Sequence, residues 1–287
     1  MYDITALGEI LIDFTYQGIG RNGQKLFAQN PGGAPANALT SAARFGAKTA
    51  FLGKAGTDMH GRFLKEILEK EQIDTRGFIL DERYFTTLAF VDLSPEGERT
   101  FSFARKPGAD TQITEKELDM EILGNTKIFH VGSLSLTSEP ARSTTFAAIK
   151  AAKSAGAVIS YDPNYRATLW ENVETAKREM KSLIPFVDIM KISDEETELL
   201  TDEKEPEQAA KVLMGKGVKL VAVTLGKDGA YIANAEGGKR VPGFESNVVD
   251  TTGAGDAFWG TFLYKLSQSN ESIEKITLDM AVEYAGF

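Results

Sequence analysis

Short β-branched or apolar runs and longer stretches of helical period take turns along this chain of 287 residues. Residues 4–7, 50–52, 128–131, 158–161, 189–192 and 220–224 read as strands, and residues 36–45, 62–71, 141–155, 175–183, 207–216 and 254–266 as amphipathic helices. Parallel neighbours in a sheet need crossover connections, so this mostly β-then-α order predicts a largely parallel sheet covered by helices, an α/β fold. One stretch breaks the pattern. Residues 86–93 and 99–103 flank Ser94-Pro95-Glu96-Gly97-Glu98, whose proline and glycine form turns, which predicts an antiparallel hairpin. Residues 10–16 are available to pair with it, giving a small β flap with residues 18–23 as a flexible tip.

No repeat, low-complexity stretch or linker divides the chain, and its length allows a core that needs no staples. One domain over residues 1–287 is expected, with flap segments at about 10–30 and 86–106 inserted. Residues 277–287 keep Leu278, Ala281, Val282 and Ala285 on one helical face and end without a capping signal, so the native chain is expected to continue.

Composition narrows the chemistry. With no cysteine, disulfides, thiol nucleophiles and thiolate zinc sites are excluded, and two histidines, His60 and His130, cannot make a three-histidine metal cluster. The net charge of -9, with lysines dispersed among acids, argues against nucleic acid as a partner. No apolar run approaches the ~20 residues that span a bilayer, so no membrane partner is expected and the cytoplasm is the default location.

Ligands of parallel α/β sheets gather beyond the carboxyl ends of the strands. There this chain places Gly8 and Asp13, Gly132-Ser133, Asp162-Pro163-Asn164, Ser193-Asp194-Glu195-Glu196 and Thr224-Leu225-Gly226, nearly all small or polar. The sharpest element is Asp250-Thr251-Thr252-Gly253-Ala254-Gly255-Asp256, a glycine-rich loop running into a helix whose buried face is marked by Phe258, Phe262 and Leu266. Bare N–H groups and the partial positive charge of a helix N-terminus suit such a loop to a phosphoryl group. A carboxylate at Asp256 would repel that group unless it acts as the base for an attacking hydroxyl; the plainer reading is a capped helix with a favourable acid in its first turn. A second cluster, Asn30-Pro31-Gly32-Gly33-Ala34-Pro35-Ala36-Asn37, opens an alanine-rich helix and would let a polyhydroxylated ligand approach the backbone, or is simply a turn before a helix. Gly18-Ile19-Gly20-Arg21-Asn22-Gly23 matches a dinucleotide fingerprint literally, but no helix opens after it, and no P-loop motif occurs.

Together these residues resemble the PfkB carbohydrate kinases of the ribokinase superfamily over essentially the whole chain. The first family signature is similar to Gly32-Gly33-Ala34-Pro35-Ala36-Asn37 with Gly46, Gly53 and Gly56 downstream, and the second to residues 250–256. The resemblance implies a ribokinase-like three-layer αβα domain with a small β lid. It implies Asp256 as catalytic base, Gly253, Ala254 and Gly255 as the anion hole, and Asp13, Gly32, Gly33 and Asn37 as sugar contacts. It also implies Ser193, Thr224, Gly226 and Gly229 on the ATP side, and Glu196 organising magnesium through water, with Ser193 standing where the family usually has asparagine. Magnesium with ATP is the implied cofactor, K⁺ a further candidate, and a homodimer through the lid a candidate assembly.

Within the family, residues 101–110 and 162–166 look like the fructokinase branch, so that Arg105 and Arg166 would reach the sugar and ATP-dependent phosphorylation of fructose to fructose 6-phosphate is the implied reaction. 2-Keto-3-deoxygluconate kinases and aminoimidazole riboside or ribose kinases are the alternatives, and a non-catalytic sugar-binding protein is the alternative of a different class. His60, His130, Trp170 and Trp259 are expected to be structural.

Overall fold

A computed structural model describes residues 1–93, 99–245, 251–269 and 271–287. Residues 94–98 of the expected hairpin turn and Asp250 of the glycine loop lie outside them. The described chain runs β1 (Tyr2–Leu7), β2 (Leu11–Ile19), β3 (Lys25–Gly32), α1 (Ala34–Arg44), β4 (Thr49–Gly56), α2 (Met59–Lys70), β5 (Phe78–Asp81), β6 (Leu88–Leu93) and β7 (Arg99–Ala104). It continues with α3 (Met120–Leu123), β8 (Thr126–Val131), α4 (Ala141–Ser154), β9 (Val158–Tyr161), α5 (Val173–Leu183), β10 (Ile189–Ser193), α6 (Asp194–Thr201) and α7 (Pro206–Gly215). Last come β11 (Leu220–Thr224), β12 (Ala230–Asn234), β13 (Gly237–Val241), α8 (Ala254–Gln268) and α9 (Leu278–Ala285).

The main sheet has the order β13-β12-β11-β10-β9-β8-β1-β4-β5. Strands β11, β10, β9, β8, β1, β4 and β5 run parallel, while β12 and β13 close one edge antiparallel. Helices α1, α2, α8 and α9 cover one face, burying Leu39, Leu64, Trp259, Phe262 and Ala281 against Ile4, Phe51, Ile128 and Ile189. Helices α3 to α7 cover the other, burying Ile149, Met180, Leu200 and Leu213 against Leu7, Leu52, Phe129 and Val223. Strands buried on both faces read as continuous apolar runs, which is why the central ones were legible in the sequence.

The small sheet, β3-β2-β6-β7, stands apart from the main one. Strand β2 joins the β6–β7 hairpin as a parallel partner of β6, with Phe14 opposite Phe90, and β3 pairs antiparallel with β2 along its far side. Strand β3 departs from the sequence expectation. β2 extends to Ile19, so the tip narrows to an exposed turn at 20–24 that returns the chain directly into β3. Likewise the buried face of α8 is centred on Trp259, Phe262, Leu263 and Leu266, with Phe258 only half-buried. Trp259 donates to Ser160 Oγ (2.9 Å), which also meets His130 Nδ1 (3.0 Å), tying α8 to β8 and β9 through a tryptophan and a histidine in structural roles.

Candidate active site

In chain order the main sheet grows from β1 through β4 to β5 on one side, then returns to β8 on the other, so the crevice between the carboxyl ends of β1 and β8 is a topological switch point. The glycine loop and the start of α1 are brought there by one helix crossing. Gly260 of α8 lies so close to α1 that a Cβ on it would fall 2.1 Å from the Ala38 carbonyl oxygen, and Ser41 Oγ donates to the Ala257 carbonyl (2.9 Å). One turn earlier on each helix, this close approach sets Asn37 Nδ2 against Asp256 Oδ2 at 2.9 Å. Gly253, at φ 75°, is the N-cap of α8, and a Cβ there would lie 3.6 Å from Asn37 Nδ2 and 3.9 Å from Asp256 Oδ2. The loop therefore folds over the Asn37–Asp256 pair. Within it the Ala254 N–H turns inward to the Thr251 carbonyl (3.2 Å).

The β1–β2 connection supplies the opposite wall. Gly33 adopts φ 112°, and a Cβ on it would meet the Glu9 carbonyl oxygen at 2.4 Å, so only glycine lets α1 start here. Asp13 on β2 lies against Gly32, where a Cβ would overlap its Oδ2 at 2.1 Å. The Glu9 side chain is buried, with Oε1 accepting from the Ala34 N–H (3.1 Å) and Oε2 without a partner among the described residues. Burial pushes the Glu9 carboxyl up to about 7.

After β9, Asp162 Oδ1 accepts from the Asn164 N–H (3.2 Å), and Oδ2 receives the Lys191 ammonium of β10 at 2.8 Å. Glu196 is buried under the first turn of α6, one oxygen on the Tyr165 N–H (2.7 Å), the other on the Ser193 N–H (2.8 Å) in a capping box. Burial, with Asp162 nearby, pushes its carboxyl up. Arg166 makes a hydrogen bond only to the neighbouring Tyr165 carbonyl (3.0 Å) among the described residues, yet its charge is felt by both Asp13 and Asp256. Both of those carboxyls rise to about 6, chiefly by burial. For Asp256 the nearby Asp162 raises it further, while Asn37, Lys191 and Arg166 hold it down.

Ser193 and Thr224 end β10 and β11 as register partners, and Gly226 opens a 3-10 turn at the same edge. Gly229, at φ 94°, is packed so tightly that a Cβ would meet the Val241 carbonyl oxygen at 2.0 Å. Arg105 lies at the hinge of the small sheet. Its Nε and Nη2 bind Asp110 (2.8 and 2.6 Å), Nη1 binds Thr137 Oγ1 (2.8 Å) and Nη2 the Leu134 carbonyl (3.0 Å). Among the described residues these contacts leave one Nη1 hydrogen of its five N–H donors without a partner.

The fold thus gathers Asp13, Gly32, Gly33, Asn37, Arg166, Gly253 and Asp256 around one crevice, sets Ser193, Glu196 and Thr224 along the same sheet edge, and leaves Arg105 at its hinge. Sequence reading gave no role to Glu9, Asp162 or Lys191. A signal for Lys191 was present: a lone charge inside the apolar run Ile189-Met190-Lys191-Ile192.

A family model for pfkB family carbohydrate kinases matches residues 1–286. The chain is 41% identical over 274 residues to a fructokinase-2 of Solanum lycopersicum, covering 94% of this chain and 84% of that one. It is similar to the crystal structure of a fructokinase from Xylella fastidiosa (TM-score 0.90, 30% identity, 100% and 90% of the two chains). It also resembles that of a fructokinase from Vibrio cholerae O395 in a fructose, ADP and calcium ion bound form (TM-score 0.88, 34% identity, 99% and 90%).

Proposed function

The chain belongs to the pfkB family of carbohydrate kinases, and from that premise we propose that it is an ATP-dependent fructokinase, converting D-fructose and ATP to fructose 6-phosphate and ADP. The observation that carries the reading is Asp256, buried in the first turn of α8, oriented by Asn37 and covered by the glycine loop. In the proposed reaction the sugar hydroxyl gives its proton to Asp256, its oxygen attacks the γ-phosphorus, and the bond to the ADP oxygen breaks. The N–H groups of Gly253 and Gly255, with the helix N-terminus, oppose the charge on the transferring group, and the Ala254 N–H joins them once it leaves the Thr251 carbonyl. Asp13, Gly32, Gly33, Asn37 and Arg166 hold the sugar, Arg105 reaches it through its one uncommitted hydrogen, and Ser193, Thr224, Gly226 and Gly229 hold the nucleotide.

Among the described residues no three acidic or histidine side chains converge to hold a metal, and both Glu196 oxygens already accept backbone N–H groups. This donor set fits a magnesium ion carried on the nucleotide phosphates, with Glu196 orienting its waters and K⁺ a candidate second cation; the ion would neutralise phosphate charge. No described helix is long and apolar enough to cross a membrane, and ATP as donor favours the cytoplasm. The small sheet exposes Ile19, Leu26, Phe27 and Phe90, a surface that a second copy's lid would cover in a homodimer.

The test is ADP release with ATP and magnesium across fructose, ribose, 2-keto-3-deoxygluconate and aminoimidazole riboside. Fructose is expected to be preferred; preference for the keto acid would recast Arg166 as a carboxylate clamp, and sugar binding without turnover would reduce the protein to a binding module. The pH dependence of kcat/KM provides a second check. A base must be ionised, so with Asp256 at about 6 the rate falls roughly tenfold per pH unit below that value and levels off above it.

A further inference from the structure

Lys191 projects from β10, a strand flanked by parallel neighbours on both sides, with its side chain 6% exposed and Asp162, 3% exposed, as its one hydrogen-bond partner among the described residues. Two of the ammonium's three donors are therefore not taken by the described residues. The ammonium lies directly beneath the glycine loop: a Cβ on Gly255 would fall 3.0 Å from Nζ. A cation at this end of a helix opposes the positive N-terminal dipole, and a buried ion pair is a weak source of stability. Both costs make sense where an anion occupies the loop. Asp256 is faced by Asn37 from α1, Asp13 from β2, Asp162 and Arg166 from the segment after β9, and Lys191 from β10, so the pair reaches the base as well.

We propose that Lys191, clamped by Asp162 under Gly255, is a positioning residue for phosphoryl transfer, presenting positive charge to the transferring group from the inner side of the loop. The proposal rests on the kinase reading. It explains why position 255 carries no side chain: even a methyl group would press on the ammonium.

The experiment compares Lys191→Met, Lys191→Arg and Asp162→Asn with the wild type. It measures kcat, KM for both substrates, the pH dependence of kcat/KM, and Kd for ADP and for β,γ-imido-ATP with magnesium. Lys191→Met is expected to lower kcat about 10²–10³-fold with little change in sugar KM, and Lys191→Arg to recover part of it. Removing the cation moves the acid limb of the profile to higher pH, and removing the Asp162 charge moves it lower, opposite displacements that a merely structural pair would not produce. The affinity advantage of the triphosphate analogue over ADP shrinks in Lys191→Met. Near-normal kcat with an unmoved limb in Lys191→Met would overturn the proposal and leave the kinase reading standing. A wild type silent on every sugar would overturn the kinase reading, and the ratio of nucleotide affinities would still decide the role of Lys191. Should Lys191→Met not fold, kcat and the nucleotide-affinity ratio in Asp162→Asn decide: an unclamped ammonium lowers both, and wild-type values overturn the proposal.

Discussion

Asp256→Asn is expected to lower kcat by about 10²–10⁴-fold while leaving sugar binding largely intact and the fold at least as stable. The asparagine keeps the shape of the aspartate and a hydrogen bond to Asn37, and the glycine loop and helix N-terminus remain to oppose phosphoryl charge. What disappears is the acceptor for the hydroxyl proton. Stability should move the other way. The folded carboxyl is raised to about 6, so the wild type loses stability as pH climbs from the ordinary aspartate range through that value, and a neutral amide does not. Turnover with fructose and ATP at pH 8, beside thermal melts of both proteins, separates the two effects; near-normal turnover would remove Asp256 from the role of base.

Lys54→Met is expected to cost about 3–5 kcal/mol of stability, because it strands the buried Asp81 and the half-buried Glu117 rather than exchanging a whole ion pair for apolar packing. Lys54 is fully buried on β4, and its ammonium meets Asp81 Oδ2 (3.1 Å), the Gln112 carbonyl (2.9 Å) and Glu117 Oε1 (2.7 Å), one acceptor for each donor. These bonds fasten the chain following the small sheet to the edge of the main one. The Arg83 guanidinium beside Asp81 softens the loss but leaves Glu117 and the Gln112 carbonyl without their cation. Urea unfolding should show a lower midpoint at an unchanged slope. A midpoint equal to that of the wild type would mean that the network carries no net stability.

The central strands and most helices were legible because their periodicities are strong: β9 and β11 begin and end where the apolar runs do, and α4 and α7 within a residue or two. The elements that escaped are those whose pattern is weak by itself. Strand β3 is largely exposed, lacks a clear apolar alternation and becomes a strand only through β2, and β13 is almost wholly exposed and is held by β12. Asp256, Gly33 and Asn37 announced themselves through the loops they belong to, but their contact could not be read from residues 219 positions apart.

By sequence alone, then, this chain determined a parallel helix-covered sheet, a glycine loop opening a helix, and the residue types needed to meet a phosphoryl group and a sugar. These follow from local physics: hydrophobic period, turn chemistry and bare backbone N–H groups. Only the tertiary structure decided that Asn37 orients Asp256, that Lys191 lies beneath Gly255, and that Arg105 spends most of its donors on the hinge. Each of these depends on how closely two distant elements approach. That distance is decided by what packs between them, here the bare Gly260 at the α1–α8 crossing and the buried Asp162–Lys191 pair between β9 and β10.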